Sequence, residues 1–252
     1  MKLTGNTVFI TGGGSGIGRA LAEALHQRGN KIIIAGRRRA QLDEVVAANP
    51  GIDAVELDVA NPASIEAVAA DLIARYPTLN VLFNNAGVML MDNAAGVMDE
   101  KTLQTHIAIN LLGPIRLTSA LIEHLKQQKQ ATLLYNTSTL AFTPLAPFAV
   151  YSATKAALHS FVMSQRFLLR DTSVKVQEIA PPWVATGLVG DANDPRAMRL
   201  DHFVEGTLAA LETDAEEVLV DEALVYRNNP GPKEHAFVTE LNTFMTKELA
   251  AA

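Results

Sequence analysis

Short apolar runs alternate along this chain with longer stretches in which apolar residues return every third or fourth position. The short runs predict strands at 7–10, 31–35, 54–57, 80–83, 132–136, 174–179 and 218–220. The periodic stretches predict helices. One carries Ala20, Leu21, Ala24 and Leu25. A second carries Leu42, Val45 and Val46 and is closed by Asn49-Pro50-Gly51. A third follows Asn61-Pro62, an N-cap with proline at the first helical position, and carries Ile65, Val68, Leu72 and Ile73. A long helix is expected over 101–126, with Asn110 at its middle. Asparagine is a poor interior residue because its amide competes for the backbone, and Gly113-Pro114 just beyond predicts a kink. A further helix starts near Val150, and another carries Phe203, Thr207, Leu208 and Leu211. Residues 187–200 are rich in turn formers and read as a lid. In the tail, 221–252, Phe237, Leu241, Phe244 and Leu249 make an apolar helical stripe that would pack on the domain or on a second subunit. Strands alternating with helices over the chain predict one α/β domain built on a doubly wound parallel sheet of seven strands.

Candidate chemistry gathers where the predicted strands end. The first strand runs into Thr11-Gly12-Gly13-Gly14-Ser15-Gly16-Ile17-Gly18 and then a helix. A glycine turn at a helix N-terminus lets backbone approach a pyrophosphate, which the N–H groups and the dipole favour. The spacing is G-x-x-x-G-x-G, not the G-x-G-x-x-G of the usual dinucleotide fingerprint. After the second strand stands Gly36-Arg37-Arg38-Arg39. An acid there would bind a ribose 2′-OH, whereas arginine suits a 2′-phosphate, so NADP(H) is expected over NAD(H). The fourth strand runs into Asn84-Asn85-Ala86-Gly87, small and amide residues at the end of the sheet where α/β folds bind ligands. Tyr151 and Lys155 lie four residues apart, on one helical face. An ammonium beside a phenol favours the phenolate and lowers a pKa that is otherwise near 10. A phenol tuned in this way exchanges a proton with an alcohol oxygen.

Composition narrows the classes. At 252 residues and 48 % hydrophobic the chain can bury a sizeable core. Its net charge of −6, with no like-charge block longer than Arg37-Arg38-Arg39, argues against a nucleic-acid surface. There is no cysteine, so neither a disulfide framework nor a thiolate metal site is expected, which fits a reducing cytoplasm. No apolar run reaches the roughly 18 residues of a membrane span, and the start, Met1-Lys2-Leu3-Thr4-Gly5, does not read as a signal peptide. His26, His106, His124, His159, His202 and His235 lack ligand spacing and read as surface or packing residues, so no metal is expected.

Taken in order, Thr11-Gly12-x-x-x-Gly16-Ile17-Gly18, Asp58-Val59, Asn84-Asn85-Ala86-Gly87, Asn110, Ser138 and Tyr151-x-x-x-Lys155 resemble the compact short-chain dehydrogenase/reductases over about residues 4–220. The stretch from Leu140-Ala141-Phe142-Thr143-Pro144-Leu145 to Ala156-Ala157-Leu158-His159-Ser160-Phe161, and the tail, are similar to the bacterial DltE-like subgroup. The resemblance implies a Rossmann-type fold and hydride transfer between a nicotinamide and a carbonyl/alcohol pair. Tyr151 would be the general acid/base, and Lys155 would tune it and bind the nicotinamide ribose. Ser138 would polarise the substrate carbonyl, and Asn110 would hold a water linking Lys155 to solvent. The cofactor would be held by Gly12, Ser15, Gly16, Ile17, Gly18, Arg37, Arg38, Asp58, Val59, Asn85, Ala86, Gly87, Tyr151 and Lys155. Pro181, Val184 and Thr186 would add contacts near the carboxamide. The partners implied are a small carbonyl or alcohol and further copies of the chain, as a homodimer or homotetramer formed through the helices near 101–126 and 151–170.

The pattern departs from the family in three places. The usual Asn before the Ser pair is Tyr135 when the alignment is anchored on Tyr151. Anchoring on Asn136 would promote Thr139, whereas the 13-residue gap to Tyr151 favours Ser138. Pro182-Trp183 replaces Pro-Gly and brings a large ring near the site, and Ser15 stands where NADP-preferring members often have a basic residue. Two other functions fit the fold: a dinucleotide-sensing regulator, which needs no Ser138/Tyr151/Lys155 set, and an epimerase or dehydratase, whose C-terminal region is usually larger. Val88-Met89-Leu90-Met91, Phe142, Pro144, Leu145, Trp183 and Leu188 point to an apolar substrate pocket.

Overall fold

The computed structural model describes residues 1–189, 194–228 and 231–250. Seven parallel strands form one sheet in the order β3-β2-β1-β4-β5-β6-β7. They are β1 (Thr7–Thr11), β2 (Lys31–Gly36), β3 (Asp53–Glu56), β4 (Leu79–Asn84), β5 (Ala131–Asn136), β6 (Val174–Ile179) and β7 (Glu217–Val218). The helices joining them are α1 (Gly16–Gln27), α2 (Arg39–Ala48), α3 (Pro62–Arg75), α4 (Glu100–His106), α5 (Gly113–Lys126), α6 (Ala149–Leu169) and α7 (Leu200–Leu211), followed by α8 (Ala223–Arg227) and α9 (Glu234–Ala250). The sheet is the doubly wound, Rossmann-type sheet expected.

Val8, Ile10, Ile32 and Ile34 face the side covered by α1, α2 and α7. Phe9, Ile33, Leu82 and Leu133 face α3, α5 and α6. Apolar side chains on both faces explain why the strands read as continuous apolar runs. Strand order reverses between β1 and β4, and the crevice at their carboxyl ends is where such sheets bind ligands.

Three elements differ from expectation. The single helix over 101–126 is two α-helices joined by a π turn, Ile107–Leu112. The distortion begins at Ile107, ahead of Gly113-Pro114, and contains Asn110, whose side chain bonds Val88. Gly113 follows because a Cβ there would lie 2.9 Å from the Val59 carbonyl oxygen. β7 ends at Val218, and Val220 beyond it lies against Gly206, where an added Cβ would come within 2.9 Å of Val220 Cγ1. Asp221, at φ 44°, then turns the chain into α8, which the apolar pattern did not predict.

Of the lid, residues 187–189 and 194–199 are described, and Gly190-Asp191-Ala192-Asn193 lie outside the described residues. The segment folds back on the strand-six exit: Met198 N–H donates to Trp183 O and Ala185 N–H to Met198 O, both at 2.8 Å. The tail stripe divides. Phe237 meets Tyr226 edge-on and Leu241 turns inward, while Phe244 is exposed. The Leu249 side chain lies outside the described residues. Among the described residues no helix is long and apolar enough to cross a membrane.

Candidate active site

The ends of β1, β4 and β5 are sewn together by side chains. Thr11 Oγ1 accepts the N–H groups of Asn85 and Ala86, each at 3.0 Å. Asn85 Nδ2 donates to Thr11 O at 2.9 Å, and Asn136 Nδ2 donates to Asn85 Oδ1 at 2.9 Å. The Asn136 carbonyl accepts from Lys155 Nζ at 2.7 Å. This chain of amides fixes the floor between two adjoining cavities.

The larger cavity, about 550 Å³, is lined by Gly12, Gly14, Ser15, Gly16 and Ile17 of the glycine turn, by Arg37 and Arg38, by Val59, by Asn85, Ala86 and Gly87, and by Tyr151, Lys155 and Thr186. Gly16 takes a φ of +54°, where a side chain is strained, and α1 starts there with its N–H groups toward the cavity end of the sheet. Arg39 faces water, paired with Asp43 at 2.8 Å. Arg37 and Arg38 have no carboxylate partner among the described residues.

The smaller cavity, about 180 Å³, is lined chiefly by apolar side chains. Leu140, Leu145, Phe148, Trp183 and Val184 meet Tyr226 of α8 and Leu241 and Met245 of α9 there, with Ser138, Thr139 and Pro181. Among the described residues no charged side chain lines it. The Arg196 guanidinium stacks on the outer ring of this set, 5.2 Å from the Trp183 centroid. Asn136, Tyr151 and Thr186 line both cavities, so the Tyr151 phenol stands at their junction.

Tyr151 and Lys155 are both buried, the ammonium 5.5 Å from the phenol ring centroid. The expected lowering of the phenol is not what this arrangement produces. Burial dominates and pushes Tyr151 up to about 12, with Ser138's hydroxyl pulling the smaller way down. Burial also holds Lys155 down at about 8, with the carboxylate of Glu178 opposing it. Desolvation disfavours whichever form is charged, so the two groups are driven in opposite directions.

Other expected residues are placed differently. Asn110 does not reach for solvent. Its Oδ1 accepts from Val88 N–H and its Nδ2 donates to Val88 O, both at 2.9 Å, so both ends of the amide are used in clamping the loop after β4. Asp58 is absent from the cavity walls; its carboxylate accepts from Ala60 N–H at 3.0 Å while its neighbours Leu57 and Val59 line the cavity. Gly18 is also outside the walls: a Cβ there would lie 2.3 Å from Asn85 Nδ2 and 2.4 Å from Gly12 O, so this glycine seats α1 against the β4 end. Tyr135 is core, its phenol accepting from Thr118 at 2.8 Å and donating to Gln165 at 2.6 Å. Ser138, not Thr139, bears on the Tyr151 phenol.

Sequence reasoning missed three residues. Asn136 joins the strand ends and holds Lys155. Asp92 accepts the Ala149 and Val150 N–H groups at 3.2 and 2.9 Å, capping α6 two residues before Tyr151. His106 is fully buried: its Nδ1–H faces Thr102 O at 3.0 Å, its Nε2 accepts from Leu90 N–H at 3.1 Å, and its ring meets Tyr151 edge-on. Each acts through a contact distant in sequence, which local pattern does not carry.

The short chain dehydrogenase family model matches residues 6–197. The chain belongs to that family. It is 42 % identical over 224 residues to an uncharacterised oxidoreductase, DltE, of Bacillus subtilis (strain 168), covering 86 % of this chain and 89 % of that one. A short-chain dehydrogenase of Burkholderia cenocepacia J2315, solved in complex with NADP, superposes with a TM-score of 0.84 at 26 % identity over 96 % of this chain and 99 % of that one. A short-chain dehydrogenase/reductase of Burkholderia phymatum, in complex with NAD, shares the fold at a TM-score of 0.80 and 22 % identity, covering 91 % and 94 %. This short-chain dehydrogenase is therefore an oxidoreductase of the same family as these relatives.

Proposed function

We propose that the chain is a single-domain oxidoreductase acting on a carbonyl/alcohol pair, with NADP(H) preferred. The observation that carries this reading is the Tyr151 phenol at the junction of a polar, glycine-lined cavity and an apolar one. The larger cavity fits a nicotinamide dinucleotide. Gly16 leaves the helix start open, Arg37 and Arg38 offer two cations at one end, and at the other Asn136 Oδ1 is buried with no donor among the described residues. The crystallised NADP and NAD complexes of relatives support the class of cofactor. Bound there, it would supply or accept the hydride. Gly12, Ser15, Gly16, Ile17, Asn85, Ala86, Gly87 and Val59 would hold it, with Arg37 and Arg38 on a 2′-phosphate.

In this reading Tyr151 gives its proton to the substrate oxygen. A neutral phenol pushed up to about 12 holds that proton until a partner with developing negative charge arrives. Ser138 donates to the same oxygen, stabilising charge that grows as the carbonyl is reduced. Lys155, fixed by Asn136, sets the field at the phenol and meets the ribose. Asn110 keeps Val88, and with it the Gly87 turn, against Lys155. The walls supplied by Leu145, Phe148, Trp183 and Leu241 exclude water and favour a neutral apolar substrate. NADPH oxidation over a panel of ketones and aldehydes tests the reading. Tyr151→Phe is expected to abolish turnover while NADPH binding, followed by its fluorescence, stays near the parental level. Retention of most activity would refute the assignment.

A further inference from the structure

The helical stripe that carries Tyr151 and Lys155 continues one turn further, to His159. His159 Nδ1–H donates to Glu178 Oε2 at 2.7 Å. Glu178 sits near the end of β6 with no exposed surface, and its other oxygen accepts from Thr137 Oγ1 at 2.5 Å. Thr137 lies between Asn136, which holds Lys155, and Ser138, which bears on Tyr151. The charged and titratable groups facing Glu178 come from three elements: Lys155 and His159 of α6, Glu217 in register on β7, and Arg227 of α8. Arg227 binds the Glu217 carboxylate at 2.6 and 3.0 Å and stacks on Phe142, which meets His159 edge-on. The ligand atoms of His159, Glu178 and Glu217 lie within 4.8 Å of one another. The Arg227 guanidinium already supplies a cation there, so the cluster reads as an ion network and not as a metal site.

We propose that Glu178 is a positioning residue for this site: it ties down Thr137, and so the strand end that presents the Asn136 carbonyl and Ser138, and through His159 it sets a buried carboxylate one turn along α6 from the Lys155 ammonium. The inference rests on the oxidoreductase reading above for the purpose of that ammonium. A buried charge without water is sustained by an opposite charge nearby, and Glu178 is the group that opposes the desolvation of Lys155.

The test is NADPH binding to the full-length protein, measured by fluorescence from pH 6 to 10. The alkaline loss of binding reports Lys155 without turnover. Glu178→Gln is expected to move that loss toward acid by about one pH unit, since an opposing charge within reach shifts a buried group by about 1–3 units. Thr137→Val keeps the charge and loses the tie; it is expected to weaken binding at every pH with the alkaline limb unmoved. If Glu178→Gln does not fold, Glu178→Asp takes its place: the limb should stay and affinity should fall, and parental affinity would overturn the positioning role. A Glu178→Gln profile matching the parent, in a protein that Tyr151→Phe inactivates, overturns this inference and leaves the oxidoreductase reading standing. Turnover that survives Tyr151→Phe overturns that reading instead, whatever the Glu178 profile.

Discussion

Lys155 donates to the backbone carbonyl of Asn136 at 2.7 Å, so the ammonium beside Tyr151 is anchored to a neutral group. A buried cation held by a dipole is costly, which is why its pKa lies near 8 and not at the ordinary 10.5. Between about pH 8 and 10.5 the unfolded chain keeps a proton that the folded chain has released, so this group makes stability rise with pH across that window. At about 1.4 kcal/mol per pH unit, the gain approaches about 3 kcal/mol. Tyr151 acts oppositely and later: raised from 10.0 to about 12, it makes stability fall above pH 10. Urea unfolding of the parent and of Lys155→Met at pH 7, 8, 9 and 10 isolates the lysine. The parent is expected to gain on the variant steadily from pH 8 to 10. Two parallel curves would show that Lys155 is not buried as a cation.

The arginine run separates into two functions. Arg39 is paired with Asp43 on the surface of α2, while Arg37 and Arg38 line the larger cavity. A charge-assisted hydrogen bond contributes roughly 1.5–3 kcal/mol, or about 10- to 150-fold in affinity. Changing Arg37 and Arg38 to Ala should lower kcat/KM for NADPH by a factor in that range and leave NADH nearly untouched. Arg39→Ala should change neither. Unaltered discrimination in the double variant would remove the 2′-phosphate assignment.

The sheet and most of its helices were legible because buried parallel strands and amphipathic helices write their periods directly into sequence. Tyr151, Lys155 and the glycine turn were legible because one element carries each set. The less legible features arise where side chains and backbone from different elements compete. Asn110 reads as a helix defect until Val88 is seen to take both ends of its amide. The Tyr151–Lys155 spacing suggested a lowered phenol, but spacing says nothing of burial, and burial is the larger effect here. Asn136 looked like an alignment ambiguity beside Tyr135. Only the fold shows that Tyr135 points into the Thr118–Gln165 core while Asn136 spans β4 and α6.

Two glycines of the same turn should respond differently to a methyl group. At Gly18 the added carbon would meet Asn85 Nδ2 at 2.3 Å and the Gly12 carbonyl at 2.4 Å, and backbone cannot yield cheaply. At Gly14 the nearest atom is Gln41 Cβ at 3.4 Å, an ordinary van der Waals contact. Overpacking of a tight contact costs typically about 1–3 kcal/mol, and more where backbone must shift. Gly18→Ala should therefore lose at least that much stability in thermal or urea unfolding, while Gly14→Ala should stay within about 1 kcal/mol of the parent. Equal losses at the two positions would mean that α1 is not seated against the β4 end as described.

The tail helix closes the apolar cavity, and none of its described residues lines the polar one. Asn242 Nδ2 donates to Pro144 O at 3.0 Å and its Oδ1 accepts from Ala146 N–H, pinning α9 to the loop before α6. From there Leu241 and Met245 enter the cavity wall beside Tyr151. Both side chains are half-buried, so truncating either to Ala removes about 1 kcal/mol of apolar contact with a bound molecule, or about a fivefold rise in KM. Ending the chain at Asn228 removes the α9 part of the wall, and KM for apolar carbonyl compounds should rise further, with NADPH affinity unchanged because no described residue of α9 lines the larger cavity. The two measurements separate the alternatives. A loss of NADPH affinity on truncation would mean that the tail supports the fold as a whole, and an unchanged KM would mean that substrate does not reach the α9 wall.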